Sequence, residues 1–285
     1  MKKEPILDRL PPTHDNLGTR NELCVRLART EEEVVTAQRL RYQVFYDELN
    51  ATPDLTGSRF GLDVDRFDSF CDHLIVVRRG HTDNGGTLNV DDGEMVGTYR
   101  LLRQSVAEQN GGFYTQSEFD IAPLLAAKPA LKFLELGRSC VLKQYRTKPV
   151  VELLWQGIWN YVRQHGLDVM LGCASLEGAD PSVHAKTLNF LAQNCAAPTE
   201  WRVRALPERY VEMKTNGENV GDAKAALKAL PPLIKGYLRL GCCIGEGAVI
   251  DRQFNTTDVL IVLPVSNINP RYFSHFGKPD EAITY

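Results

Sequence analysis

Glu135 and Arg138 stand three residues apart in an apolar run, Phe133-Leu-Glu135-Leu-Gly-Arg138-Ser-Cys140-Val141. A carboxylate and a guanidinium near a strand end form a pair whose surroundings can tune either charge, which makes them candidate site residues. Buried there, Glu135 can take a proton from an attacking nucleophile. The alternative is that it neutralises Arg138, or Arg100 on a neighbouring strand. A basic turn follows: Lys143, Arg146 and Lys148 lead into Pro149 and a helix. Such a turn can hold a phosphate or meet an acidic partner. A merely solvated basic turn is the competing reading.

Other charged residues fall in places where charge needs an explanation. Arg41 shares an apolar helical stripe with Phe45, so it is either packed along its stem or aimed into a cleft. Asp65 and Asp68 belong to an aspartate-rich stretch, and Asp180 precedes Pro181. Each aspartate has an ordinary use in loop capping beside any role in binding. Asp251 and Asp258 rank below Glu135, as does His184. Ser139 and Cys140 lack a partner that spacing identifies, so a covalent step at Cys140 is disfavoured. Trp155, Trp159 and Phe190 suit an apolar tunnel or an ordinary core.

These residues need a scaffold of alternating strands and helices. Leu23 to Leu27 reads as a strand, and Thr30 with Glu33 as a capping box opening a helix over 31–48. Residues 50–72 have no period and read as a loop. Strands are predicted over 73–78, 95–102 and 131–141, with a turn-rich segment over 80–93 and a short helix within 118–128. Val151, Leu154, Trp155, Ile158 and Val162 have core-facing helical spacing, and Gly166 closes that helix. A strand over 168–173 and a helix over 181–194 follow, so strand, helix and strand alternate. The fold class is therefore α/β, or α+β with a mixed sheet flanked by helices. A helix broken by Pro231-Pro232 and strands over 242–250 and 259–265 complete the chain. We expect residues 1–21 to form an extended arm, 22–213 the core, and 214–285 a C-terminal extension that packs on the core and continues its sheet.

The totals narrow the class further. A chain of 285 residues with 43% apolar and 24% charged residues is an ordinary globular protein, and a net charge of −3 gives no reason to expect nucleic acid as a partner. Seven scattered cysteines, without a CxxC pair or a His cluster, argue against a disulfide framework and structural zinc. No metal site is predicted, and the cytoplasm is the expected compartment. No apolar run reaches about 18 residues, so any membrane contact would be peripheral.

In this order Arg41 with Phe45, Asp65 with Asp68, Arg100, and Glu135 with Arg138 resemble the pattern of acyl-homoserine-lactone synthases and related N-acyl amino acid synthases. Those are acyl carrier protein-dependent members of the Gcn5-related N-acyltransferase superfamily. The segment Leu171-Gly-Cys173-Ala-Ser175-Leu-Glu-Gly178-Ala-Asp180-Pro181 is similar to the L-ornithine Nα-acyltransferase family. So are Leu230-Pro-Pro-Leu-Ile-Lys235-Gly-Tyr-Leu-Arg239 and the 251–258 stretch. The resemblance implies a superfamily-like mixed sheet and transfer of a 3-hydroxyacyl group from acyl carrier protein to the α-amine of L-ornithine, giving lyso-ornithine lipid. No bound cofactor is implied, since 4′-phosphopantetheine arrives on the carrier. Glu135, Arg138 and Arg100 would be catalytic. Arg41, Phe45, Asp65, Asp68 and Asp180 would meet substrate, and Lys143, Arg146 and Lys148 the carrier. Coenzyme A-dependent members carry glycines where this chain has Pro149 and Val151, which favours the carrier as donor. Lysine, glutamine or glycine as acceptor, or a non-catalytic lipid- or carrier-binding protein, remain the alternatives.

Overall fold

The computed structural model describes residues 16–79, 93–214, 223–268 and Tyr272. The first fifteen residues of the expected arm, the 80–92 part of the turn-rich segment, residues 215–222 and most of the C-terminal tail lie outside them.

The strands are β1 (Asn16–Arg20), β2 (Leu23–Leu27), β3 (Asp72–Arg78), β4 (Glu94–Arg103), β5 (Phe119–Asp120), β6 (Phe133–Val141), β7 (Val169–Glu177), β8 (Arg204–Ala205), β9 (Tyr210–Val211), β10 (Cys243–Asp251) and β11 (Thr256–Pro264). They form one mixed sheet in the order β1-β2-β3-β4-β6-β7-β11-β10-β8-β5, with β9 on β10. Residues 16–20, expected in the arm, are thus an edge strand. Polar composition hid it, since only Leu17 of the five is buried.

Period-two alternation sends successive side chains to opposite faces. Leu74 and Val76 face α5 (Lys148–His165), whereas Ile75 and Val77 pack with Ala37 of α1 (Glu31–Tyr42). Thr30 caps α1 through Glu33 N–H, and Gly166 ends α5 at φ +57°. The helix expected over 31–48 changes at Gln43 into a π-helical turn, Gln43–Glu48. The expected 50–72 loop contains a short helix, α2 (Leu55–Phe60), and a 3₁₀ turn, Arg66–Ser69. Local aspartate caps, Asp54 and Asp65, start both. The remaining helices are α3 (Gln104–Gln109), α4 (Ala122–Ala127), α6 (Ala185–Asn194), α7 (Ala223–Ala229) and α8 (Pro232–Leu240).

Two irregularities in β6 shape the centre of the sheet. Its parallel pairing with β7 covers only Phe133–Glu135 against Val169–Leu171, so the strands splay apart beyond Glu135. Gly172 lies at the vertex, where a Cβ would come within 2.2 Å of the Leu136 carbonyl oxygen. A side chain there would push the strands apart where they must meet. On its other edge β6 pairs with β4, but the four residues from Gly137 to Cys140 span the same length as the three from Arg100 to Thr98. This bulge puts Arg138 at φ +49°. A left-handed conformation costs a residue with a Cβ about 1–2 kcal/mol. That cost re-aims the guanidinium, as bulges beside sites commonly do.

Candidate active site

Glu135 lies at the vertex of the splay and is 5% exposed. Its oxygens accept one backbone N–H each, from Tyr114 (3.0 Å) and Thr115 (2.7 Å), at the start of the 3₁₀ turn Tyr114–Ser117. Burial raises its pKa, and these hydrogen bonds with the Arg100 charge oppose the rise only in part. Among the ion pairs of the described residues, none joins Glu135 to Arg138 or Arg100. The neutralising role considered from sequence is filled by peptide N–H groups. Each oxygen keeps lone-pair capacity for a substrate proton.

The arginines pair with aspartates. Arg41 donates through Nε to Asp63 Oδ2 (2.7 Å), and through Nη2 to the Asp63 carbonyl (2.6 Å) and Asp68 Oδ1 (2.8 Å). Arg100 donates to Asp65 (2.7 Å) and Asp68 (3.3 Å), and Arg138 to Asp63 (3.2 Å) and Asp65 (3.1 Å). Burial would raise the Asp63 and Asp68 pKa values. The guanidiniums overcome it and hold both low, with Arg138 and Arg41 acting on Asp63, and Arg41 and Arg100 on Asp68. Asp65 also caps the Arg66–Ser69 turn, so its capping and ion-pairing roles coexist. Arg41 is fully buried, facing its aspartates rather than the cleft. Arg100 and Arg138 line a cleft of about 260 Å³ together with Glu135, Phe45, Tyr114, Ser139, Cys173, Asp251 and Asp258. The network therefore orients the two arginines from behind. Phe254, from the turn between β10 and β11, packs against Phe45 and under Arg138.

A second cavity, of about 830 Å³, lies between α5 and α8. Trp155, Trp159, Met170 and Leu233 line it, and Arg20, Arg146, Lys148 and Arg239 border it. Leu233 borders both spaces. Arg146 is held by Glu48 and donates to the Val141 carbonyl (3.0 Å), while Lys148 and Lys143 are exposed. Pro149 falls in the first turn of α5, so one peptide N–H is missing there.

Not every expected residue joins the site. Asp180 is exposed and accepts from Ser182 N–H (2.9 Å) as the cap of a 3₁₀ turn, its ordinary use. His184 is engaged with the Glu177 carbonyl (3.0 Å). Phe190 belongs to the core rather than to either cavity wall. Burial pushes the Cys140 thiol up to about 12, which keeps it from acting as a thiolate. Sequence reasoning missed Asp63 as the hub of the network, although it shares the acidic stretch with Asp65 and Asp68. It also missed Tyr114, Thr115 and Glu118. All seven cysteines are free, and no helix among the described residues is long and apolar enough to cross a membrane.

A mixed sheet whose parallel central strands open beyond a buried carboxylate is the framework of a Gcn5-related N-acyltransferase. Residues 40–156 match the Acetyltransferase (GNAT) domain. The L-ornithine N(alpha)-acyltransferase of Agrobacterium fabrum is 50% identical over 266 residues, covering 93% of this chain and 89% of that protein. The protein of the same name from Rhizobium meliloti is 48% identical over 266 residues, covering 93% and 88%. Among solved structures, FeeM, an N-acyl amino acid synthase from uncultured soil microbes, aligns at a TM-score of 0.48 with 12% identity, over 88% of this chain and 97% of that one. The chain belongs to the L-ornithine N(alpha)-acyltransferase family.

Proposed function

We propose that the protein moves a 3-hydroxyacyl group from the 4′-phosphopantetheine of acyl carrier protein to the α-amine of L-ornithine, giving lyso-ornithine lipid. The shared name of relatives up to 50% identical over nearly the whole chain supports the acceptor. The carrying observation for the chemistry is Glu135, buried at the splay with its carboxylate fixed by two peptide N–H groups. An α-amine has an ordinary pKa near ~8 and is largely protonated at neutral pH. Glu135 takes its proton, directly or through a water. The freed nitrogen attacks the thioester carbon, the carbon–sulfur bond breaks, and the nitrogen gives up its second proton, which the departing thiolate takes to leave as a thiol. Beyond the splay, alternate backbone groups of β6 face the gap, where N–H donors meet the developing oxyanion. Arg100 and Arg138 organise the site and offer positive charge to the acceptor carboxylate. Asp63, Asp65, Asp68 and Arg41 hold them in place.

The donor enters past Lys143, Arg146 and Lys148, which suit an acidic carrier surface. The N–H missing at Pro149 suits one phosphate better than a pyrophosphate. The α5–α8 cavity receives the acyl chain. Its 830 Å³ lies within the range of about 300–1,000 Å³ usual for ligand pockets. Catalysis takes place in the cytoplasm, with peripheral contact at the inner membrane where the amphiphilic product leaves.

The acyl cavity has its own test. Gly236 lines this cavity, and a Cβ there would meet only Trp155 Nε1, at 3.8 Å, so Gly236→Leu starts from an unstrained position on its wall. Leucine also favours the helix over glycine by about 0.8 kcal/mol. The expected result is a preference for shorter acyl chains, with the long-to-short ratio of kcat/KM falling about tenfold. An unchanged chain-length profile would move the acyl chain out of this cavity. The reaction itself is tested by mixing the protein with 3-hydroxyacyl carrier protein and a panel of amino acids. Thiol release should require ornithine. Release with glycine but not ornithine would overturn the acceptor, and no acceptor-dependent release would overturn the enzyme reading.

A further inference from the structure

Glu118, Asp251 and Asp258 come from the start of β5 and from the β10–β11 hairpin, and they are all buried. Oxygens of the three lie within 4.8 Å of one another. Glu118 is 0% and Asp258 4% exposed, yet among the described residues no nitrogen or oxygen donor reaches either Glu118 oxygen or Asp258 Oδ1, and the Cys173 thiol is the one weak donor beside Glu118. Arg209 approaches Glu118 at 3.9 Å, too far for a hydrogen bond. Asp251 accepts from the Gln253 and Phe254 N–H groups and from the Tyr114 hydroxyl, but a buried carboxylate oxygen without a donor is costly, and Glu118 and Asp258, which carry such oxygens, converge with Asp251 beside a cleft, an arrangement that favours a cation. Asp251 and Asp258 line the cleft that holds Glu135.

We propose that Glu118, Asp251 and Asp258 form the subsite for the side-chain ammonium of a diamino acid acceptor and so select it over neutral amino acids. This rests on the reading of the cleft as the acceptor site. Tyr114 links the two ends. Its backbone N–H holds Glu135, and its hydroxyl donates to Asp251 Oδ2 (3.4 Å). The span of a tyrosine from amide to phenol oxygen is comparable with that of an extended ornithine from α-nitrogen to side-chain nitrogen. An acceptor lying along Tyr114 can therefore present its α-amine to Glu135 and its ammonium to the cluster. The protonation behaviour agrees. Burial and then the Asp258 charge raise Glu118 to about 7. Burial, and the Asp251 charge after it, raise Asp258 to about 6. The other titratable neighbours are Arg209, Cys173 and Tyr114. An arriving ammonium relieves this mutual repulsion.

The test compares ornithine with norvaline, which lacks only the side-chain amine. Calorimetric binding to the full chain without donor is measured alongside kcat/KM with 3-hydroxyacyl carrier protein. Wild type is expected to favour ornithine by a factor on the order of 10². Asp258→Asn should lower that ratio at least about tenfold. Glu118→Gln serves as a second variant should the first fail to fold. A ratio near one in wild type, or a ratio that neither variant changes, would overturn the proposal. So would a preference abolished by chelator and restored by a divalent cation, because the cluster would then hold a metal. Preferential binding of ornithine without acylation would refute the proposed reaction and leave this subsite standing.

Discussion

Replacing Glu135 with glutamine is expected to lower kcat by about 10²–10⁴, the usual share of general-base catalysis. The substitution preserves shape but removes the proton acceptor. It also turns an amide NH₂ toward one of the two peptide N–H groups that now donate to the carboxylate. A structural cost on the order of 1–3 kcal/mol follows from that mismatch, so activity must be read where the variant is folded. The pH profile separates the two effects. Burial raises the Glu135 pKa, so the wild-type rate should climb with pH as the carboxylate ionises. The variant should lose that limb. A Glu135→Gln enzyme with near wild-type turnover at neutral pH, or with the same ascending limb, would remove Glu135 from the reaction.

Arg41→Ala carries the largest expected cost in stability, about 3–5 kcal/mol, because it strands buried partners instead of removing a whole pair. Asp63 and Asp68 would each lose a guanidinium donor while remaining buried. For a domain of this size the loss corresponds to a drop in Tm on the order of 10 °C. Arg41→Lys should recover only part of it, since one ammonium cannot serve acceptors that Nε and Nη2 reach together. The pH dependence follows from the depressed Asp63 and Asp68 values. Groups with lowered folded pKa stabilise above their unfolded pKa, near ~3.9, and lose that contribution as pH falls through the folded value. Wild type and Arg41→Ala should therefore differ most at neutral pH and converge in acid. Urea unfolding at pH 7 and in steps below about pH 4, through the folded values, checks this. A constant difference would mean that packing of the arginine stem, and not its charge, supplies the stability.

The two variants fall on features that the sequence reveals unequally. The Glu135 strand and the helix after it are written in local patterns, an apolar run and an i, i+3, i+4, i+7 stripe closed by Gly166. Arg138 stands out by its spacing from Glu135, and family resemblance gave Arg100 and the Asp65 and Asp68 pair their expected roles. The partners could not be read in the same way. Asp63 is one of five aspartates between positions 54 and 72, and only the folded loop turns it toward Arg41 and Arg138. The bulge that re-aims Arg138 is a property of β4–β6 register, to which neither strand's composition points. Glu118 meets Asp258 across 140 residues of chain, through pairings of two short strands. Asp180 lies apart from the cleft. A residue in a family-like segment caps a turn, the ordinary use that each aspartate shares.

The central claim is that the splayed cleft joins a carrier-borne acyl group to the α-nitrogen of ornithine, with Glu135 at the nitrogen to be acylated and the acidic cluster holding the other. The most direct measurement is tandem mass spectrometry of the product formed from 3-hydroxyacyl carrier protein and ornithine, quantified against thiol released. The expected product is a single amide on the α-nitrogen, one per thiol. An amide on the side-chain nitrogen, or thiol release without an ornithine adduct, would contradict it.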